Sequence, residues 1–134
     1  MKPIYILSVT ILILSGCKKD DKIPAGLNGT WELESSLSAW GGTHTYPPGN
    51  GNTFTFDGHT YLQKVVTADT AYEGSGTFKV YTGKPCDIAN EETLIEWNND
   101  SNTIQDFSLN NGEFSIGTIA CIADGGGSTY RKIQ

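Results

Sequence analysis

The sequence predicts an all-β fold, an antiparallel up-and-down β-barrel of about eight strands. Apolar and polar residues alternate with a period of two in several short segments, which is the pattern of half-buried strands. Turn-forming pairs rich in Gly, Asn and Asp separate these segments. No segment after Leu27 shows the three- and four-residue spacing of an amphipathic helix. Because the hairpins follow one another without a long crossover, closure into a barrel would leave no exposed sheet edge.

The first strand is predicted in the segment GTWELESSL. Trp31 and Leu33 fall on one face of this strand, and Glu32 and Glu34 fall on the other. An alternating strand of this kind buries one face and exposes the other. We therefore expect the tryptophan to point into the barrel and the two carboxylates to form a solvated face.

The first connection, Ser38 to Asn52, is the longest one that the sequence predicts. It is rich in Gly and Pro and carries Trp40 and Tyr46. Long loops in compact domains are often binding loops or lids. The alternative is a mobile surface loop whose aromatic residues only cover the rim of the barrel.

The remaining strands follow from the same alternation. They are predicted in TFTFD, HTYLQKVV, GSGTFKVY, TLIEW, TIQDFSL, EFSIGTIA and STYRKI. Their inward aromatic positions are Phe54, Phe56, Phe78, Trp97, Phe107 and Phe114. A domain this small needs most of its apolar surface for stability, so these residues are expected to form the core. The alternative is that some of them line a ligand pocket.

The N-terminus has the layout of an export signal. Residues 1–16 combine a basic start, an apolar run and a small-residue exit. The run is about eleven residues long, which is too short to span a bilayer. The stretch Leu14-Ser15-Gly16-Cys17 resembles the bacterial lipobox, and the resemblance implies cleavage before Cys17 and its lipidation, which would anchor the protein stably. The alternative is an ordinary secreted protein with a chance cysteine.

Residues 17–26 are expected to form a polar tether between the anchor and one folded domain, residues 27–134. The stretch Lys18-Lys19-Asp20-Asp21 is similar to the export signal of Bacteroidetes surface lipoproteins. That similarity implies an outer-membrane location and exposure to the medium. A plain solvated tether is the alternative, because charged segments near termini are commonly just that.

The charge of residues 27–134 argues against a nucleic-acid partner. Five basic residues stand against thirteen acidic ones, a net charge of −8. Nucleic-acid binding depends on clustered Lys and Arg, which this range does not contain. Neither His44 nor His59 has a serine partner at a known catalytic spacing, and no acid pair suggests a glycosidase. We therefore predict no catalytic residue, no metal and no cofactor, and expect that the protein is not an enzyme.

Two cysteines remain after Cys17. In an oxidising compartment, Cys86 and Cys121 are expected to form one disulfide. The alternative is a pair of buried free thiols. No histidine lies near either cysteine in the sequence, which argues against a zinc site.

The opening segment GLNGTWELESS resembles the Gly-x-Trp strand of lipocalin and calycin barrels, with Gly29 and Trp31 at the matching positions. The final segments CIADGGGSTY and YRKI are similar to the closing strand of Bacteroidetes lipocalin-like lipoproteins. The resemblance implies that Trp31 closes one end of the barrel and that Arg131 lies over its ring, a favourable cation–π contact. The chain is shorter than a classical lipocalin and lacks the usual helix after the last strand.

These observations predict an outer-membrane-anchored, lipocalin-like protein that binds a small, partly apolar ligand in or at the mouth of the barrel. The expected ligand-binding residues are the six inward aromatics with Trp40 and Tyr46. The alternative is a non-enzymatic envelope interaction module with a filled core, which contacts a protein partner through its loops.

Overall fold

The computed structural model describes residues 21–134. The predicted signal peptide, the lipidation site Cys17 and most of the charged stretch after it lie outside the described residues. The strands are β1 (Gly29–Ser38), β2 (Gly42–Thr45), β3 (Thr53–Asp57), β4 (Thr60–Val66), β5 (Ala71–Gly83), β6 (Glu92–Trp97), β7 (Gln105–Asn110), β8 (Glu113–Gly117) and β9 (Gly127–Lys132). Helical structure in this range is limited to a 3-10 helix, Ser101–Thr103, and no helix there has the length and apolarity needed to cross a membrane.

The strands form a closed eight-stranded antiparallel barrel, as predicted. From β3 onward each strand pairs with the next, and β1 pairs with both β3 and β9 to close the barrel. β2 is an extra strand beside the second half of β1, with Ser35 opposite Thr45. The prediction of one long loop from Ser38 to Asn52 is therefore wrong in part. The chain turns tightly before Gly42, which has a φ of 70°, and pairs back onto β1.

The strand registers place the connections at two ends. One end carries the β3–β4 and β7–β8 hairpins and the chain that enters β1. We call it the closed end. The other end carries the β1–β2 and β4–β5 turns, the β6–β7 connection and the β8–β9 loop. We call it the mouth.

The closed end is filled by Leu27 and Trp31, which are fully buried. The Trp31 indole nitrogen donates a hydrogen bond of 2.7 Å to the Leu27 carbonyl oxygen. The ammonium nitrogen of Lys132 lies 5.1 Å from the centroid of the Trp31 ring and donates to the Gly26 carbonyl oxygen. The predicted cation over Trp31, Arg131, is therefore wrong. Lys132 is the residue opposite Trp31 in the register, and opposite residues share a face of the sheet.

Arg131 instead lies on the outer face of the barrel, opposite Glu32. The expectation of a solvated Glu32 is also wrong, since the residue is only 4% exposed. The segment between β2 and β3 crosses this outer face, and the Gly49 N–H donates to both oxygens of the Glu32 carboxylate at 2.9 and 3.0 Å. Arg131 donates to the same carboxylate at 3.0 Å and to the Tyr46 carbonyl oxygen at 3.4 Å. The Glu34 side chain is 38% exposed, which is closer to the solvated face that the sequence predicts.

These contacts set the charge of Glu32. Burial by itself raises the pKa of a carboxyl group. The backbone hydrogen bond from Gly49, the Arg131 side chain and the backbone of Gly51 act against burial and together hold the pKa of Glu32 below its ordinary value. The carboxylate thus stays ionised and fixes the segment between β2 and β3 to the barrel wall.

The predicted disulfide between Cys86 and Cys121 is present, with the two Cα atoms 6.3 Å apart. Cys86 lies in the connection between β5 and β6, and Cys121 lies in the connection between β8 and β9. The first connection leaves from the closed end, and the second leaves from the mouth. The bond therefore ties together two loops that start at opposite ends of the barrel.

The interior is an aromatic core. All six inward aromatic residues predicted from the alternation are at least nine-tenths buried. Phe54 stacks on Trp97 with ring centroids 5.5 Å apart, and Phe114 stacks on Tyr130 at 4.6 Å. Trp31 meets Phe114 edge-on at 5.2 Å, so ring contacts run from the closed end towards the mouth. This packing supports the expectation that the aromatics form the core.

Candidate binding site at the mouth of the barrel

A cavity of about 420 Å³ opens at the mouth. Ten residues line it, and they are Phe54, Tyr61, Gln63, Trp97, Asn98, Thr103, Gln105, Ile116, Ser128 and Tyr130. We call this cavity the mouth pocket. Its volume lies within the range of about 300–1,000 Å³ typical of small-molecule sites.

The strands position this lining through their alternation. Gln63 faces Phe54 across β3 and β4, and Ser128 faces Ile116 across β8 and β9. Both pairs therefore point inward. Gln105 is opposite the fully buried Ile95 and points inward as well. Towards the mouth, amides and hydroxyls thus replace the aromatic residues of the deeper core.

The absence of a side chain at Gly76 leaves space for two lining residues, Asn98 and Tyr61. Gly76 is opposite Tyr61 in the register. A Cβ atom at this position would collide with the side-chain amide of Asn98 and touch the Tyr61 ring. The Asn98 carboxamide instead accepts a hydrogen bond from the Thr77 N–H at 3.0 Å and donates one to the Tyr61 hydroxyl at 3.3 Å. A glycine is therefore needed here for the rim of the pocket to close.

The hydrogen bonds of the pocket leave two amides with unused capacity. The Trp97 indole nitrogen donates to the Gln105 Oε1 atom at 2.8 Å, which orients the Gln105 amide. The Gln105 NH₂ group and the whole Gln63 amide make no hydrogen bond to the residues that the structure describes. A primary amide offers two donors and an acceptor. Both side chains can therefore bind solvent or a ligand.

The pocket is uncharged. None of its ten lining residues is Asp, Glu, Lys, Arg or His. Burial is the main cause that raises the pKa of Tyr130 to about 12; a hydrogen bond with Ser128 acts in the opposite direction, and the neighbouring Tyr46 and Tyr72 add to the increase. The Tyr130 hydroxyl is therefore neutral at physiological pH, and the pocket offers only neutral hydrogen-bonding groups and aromatic surface.

Only some of the eight predicted ligand-binding residues lie at the mouth pocket. Phe54 and Trp97 line the mouth pocket. Tyr46 does not line it, and its hydroxyl lies 3.3 Å from the Ser36 hydroxyl. Trp40 is 90% exposed in the turn between β1 and β2 and does not line the pocket. The other four are core residues that do not line it, namely Phe56, Phe78, Phe107 and Phe114.

Sequence reasoning missed most of the lining, including all of its polar residues. The missed residues are Tyr61, Gln63, Asn98, Thr103, Gln105, Ile116, Ser128 and Tyr130. A signal was present in the sequence, because Gln63 and Gln105 occupy inward positions of alternating strands where apolar residues are expected. A polar residue at such a position marks either a pocket or the end of the core.

In residues 21–134, no group of three His, Cys, Asp or Glu side chains is placed to hold a metal ion. No family model, curated protein or solved structure matches this chain. The functional argument therefore rests on the geometry of the mouth pocket.

Proposed function

We propose that this protein is a lipid-anchored, lipocalin-like binding protein of the outer membrane that holds a small, partly apolar ligand in the mouth pocket. The observation that carries the proposal is the cavity of about 420 Å³ at the mouth of the barrel. Aromatic rings form part of its lining, and the amides of Gln63 and Gln105 keep hydrogen-bonding capacity that no described residue uses. Its exposed surface is mainly polar, and convergent polar groups of this kind fix the orientation of a ligand in binding sites.

The position of the tether supports this proposal. Asp21 lies at the closed end, with its carboxylate 3.9 Å from the His59 ring nitrogen Nδ1. A lipid on Cys17 would be four residues away, a span of at most about 14 Å for an extended chain. The closed end would then lie near the bilayer surface, and the mouth would open away from it. Such an orientation lets a ligand enter from the surrounding medium.

The test is native mass spectrometry of the protein purified from the envelope of its own host. We expect a reproducible added mass that is lost on organic extraction. Ser128→Leu fills the pocket and should remove this mass. Ser75→Leu makes the same change at an exposed, outward position of β5 and should keep it. A bare mass for the wild-type protein, or an added mass that survives in Ser128→Leu, would contradict the proposal.

A second candidate function is a docking module for an envelope protein, favoured by the 90% exposure of Trp40. Exposed aromatic side chains are enriched at protein interfaces. Trp40→Ser should then abolish the co-purification of a specific partner and leave any bound small molecule unchanged. The two functions are therefore separable by one substitution each, Ser128→Leu in the pocket and Trp40→Ser on the loop.

A further inference from the structure

The chemistry of the mouth pocket specifies its ligand more narrowly than a small, partly apolar molecule. We propose that the ligand is an uncharged, polyhydroxylated molecule of monosaccharide size, held by the amides of Gln63 and Gln105. This inference rests on the proposed binding function and adds the class of ligand.

The absence of charge in the lining excludes ionic ligands. The protein carries a formal net charge of −6, yet none of the ten lining residues is ionised at neutral pH. A charged ligand would lose its hydration on entering the pocket and find no opposite charge to replace it, which is costly. A neutral molecule avoids this cost.

The unused hydrogen-bonding capacity excludes a simple hydrocarbon. An alkyl chain in the pocket would cover the Gln63 amide and the Gln105 NH₂ group, which have no protein partner among residues 21–134. Covering such groups without replacing their bonds to water is unfavourable. Hydroxyl groups donate and accept, so a polyol satisfies both sides of a carboxamide.

The aromatic rings favour a sugar over a flat heterocycle. Trp97 already stacks on Phe54, and the Tyr61 ring meets Trp97 edge-on with centroids 4.8 Å apart. Tyr130 stacks on Phe114, and Phe54 meets it edge-on at 5.3 Å. The rings therefore pack mainly on one another and offer no pair of parallel faces to sandwich a planar ligand. A saccharide needs only a patch of aromatic surface for its C–H groups.

The three tryptophans provide the readout. In a ¹⁵N-labelled sample each indole N–H gives one cross-peak. Trp97 reports the mouth pocket, Trp31 donates to Leu27 at the closed end, and Trp40 is exposed. The probes are N-acetylglucosamine, glucosamine, glucuronate and sodium laurate, which provide a neutral sugar, a cationic sugar, an anionic sugar and an anionic hydrocarbon chain.

We expect N-acetylglucosamine to shift the Trp97 cross-peak saturably and to leave those of Trp31 and Trp40 in place. Glucosamine and glucuronate should bind at least tenfold more weakly, and laurate should not shift the peak. Gln63→Leu should weaken the binding of N-acetylglucosamine at least tenfold. The outward control Ser75→Leu should bind like the wild type.

Two results of this titration would overturn the inference. Saturable binding of laurate without binding of the neutral sugar would reverse the ligand class and leave the binding function standing. Equal binding of the charged sugars would overturn the requirement for neutrality. If no probe shifts the Trp97 cross-peak, the compound that native mass spectrometry detects on the protein purified from its host distinguishes the remaining outcomes. A neutral polyhydroxylated compound supports the inference, a charged or hydrocarbon compound overturns it, and a bare mass overturns the binding function as well.

Discussion

The two ends of this barrel differ in how their side chains use their polar atoms. At the closed end, Leu27 and Trp31 exclude solvent, and the Trp31 indole N–H has a backbone partner at 2.7 Å. At the mouth, the half-buried amides of Gln63 and Gln105 retain hydrogen-bonding capacity that no described residue uses. These groups are open to solvent, so they are available to water or to a ligand. The comparison predicts that substitutions at the closed end reduce stability and that substitutions at the mouth reduce binding.

The largest effect is expected at the closed end. Trp31→Ala removes a side chain that is 1% exposed and leaves a cavity beneath Phe114. The free energy of unfolding should fall by about 3–5 kcal/mol. Urea unfolding followed by circular dichroism measures it. Trp40→Ala is the matched control and should change the value by less than about 0.5 kcal/mol. Equal effects of the two substitutions would show that the closed end is not the stabilising one.

The disulfide links loops from both ends, and its removal should have the next largest effect. The double substitution Cys86→Ser and Cys121→Ser removes the covalent link between two residues that are 35 positions apart in the sequence. The chain-entropy account predicts a loss of roughly 3–4 kcal/mol. Thermal unfolding of the double variant, beside the wild type with and without reductant, measures the loss. A double variant as stable as the oxidised wild type would contradict the prediction.

Tyr130 should make the mouth side of the core sensitive to alkaline pH. Its pKa is raised from 10.0 to about 12, so the folded state holds a proton that the unfolded state releases between these values. The free energy of unfolding should therefore decrease as the pH rises from 10 to 12, by about 2–3 kcal/mol in full. Urea unfolding at pH 9, 10 and 11 measures the slope. Tyr130→Phe should remove this decrease in the free energy of unfolding with pH. An unchanged pH dependence in this variant would show that Tyr130 is not its source.

Glu32 should make the barrel wall sensitive to acid. Its pKa lies below the ordinary value of 4.5, so its contribution is fully present above pH 4.5 and is lost as the pH falls through the lower folded-state value. Glu32→Gln places an NH₂ group, itself a donor, among the donors from Gly49 and Arg131. The free energy of unfolding at pH 7 should therefore fall by about 2 kcal/mol. The difference from the wild type should shrink below pH 4.5. Glu34→Gln, at a side chain 38% exposed, is the control and should show a smaller effect.

The smallest effect on stability is expected at the mouth. Gln63→Leu removes an amide without a protein partner among the described residues, so the free energy of unfolding should change by less than about 0.5 kcal/mol. The same variant should lose the binding described above. A large loss of stability would mean that the Gln63 amide supports the fold, and the contrast between the two ends would fail.

The sequence predicted the fold because alternation and turns are local properties. Trp31, Phe54 and Phe114 were placed inside the barrel from the period of two alone. The two cysteines that remain after Cys17, in a chain expected in an oxidising compartment, predicted the Cys86–Cys121 bond. The same alternation also indicates the pocket, since Gln63 and Gln105 are polar residues at inward positions of their strands.

The sequence by itself determined the eight strands of the barrel, their inward aromatic residues and the disulfide partners, but not the extra strand β2. Only the tertiary structure decided what covers each face. Alternation placed Glu32 on the outer side correctly, but the segment between β2 and β3 folds over that side and buries the carboxylate with Arg131. The register across β1 and β9, and not the residue types, put Lys132 instead of Arg131 over Trp31. The physical reason is that a strand pattern is set by immediate neighbours along the chain. Coverage and register depend instead on contacts between distant residues, such as Gly49 and Arg131, which are 17 and 99 positions from Glu32.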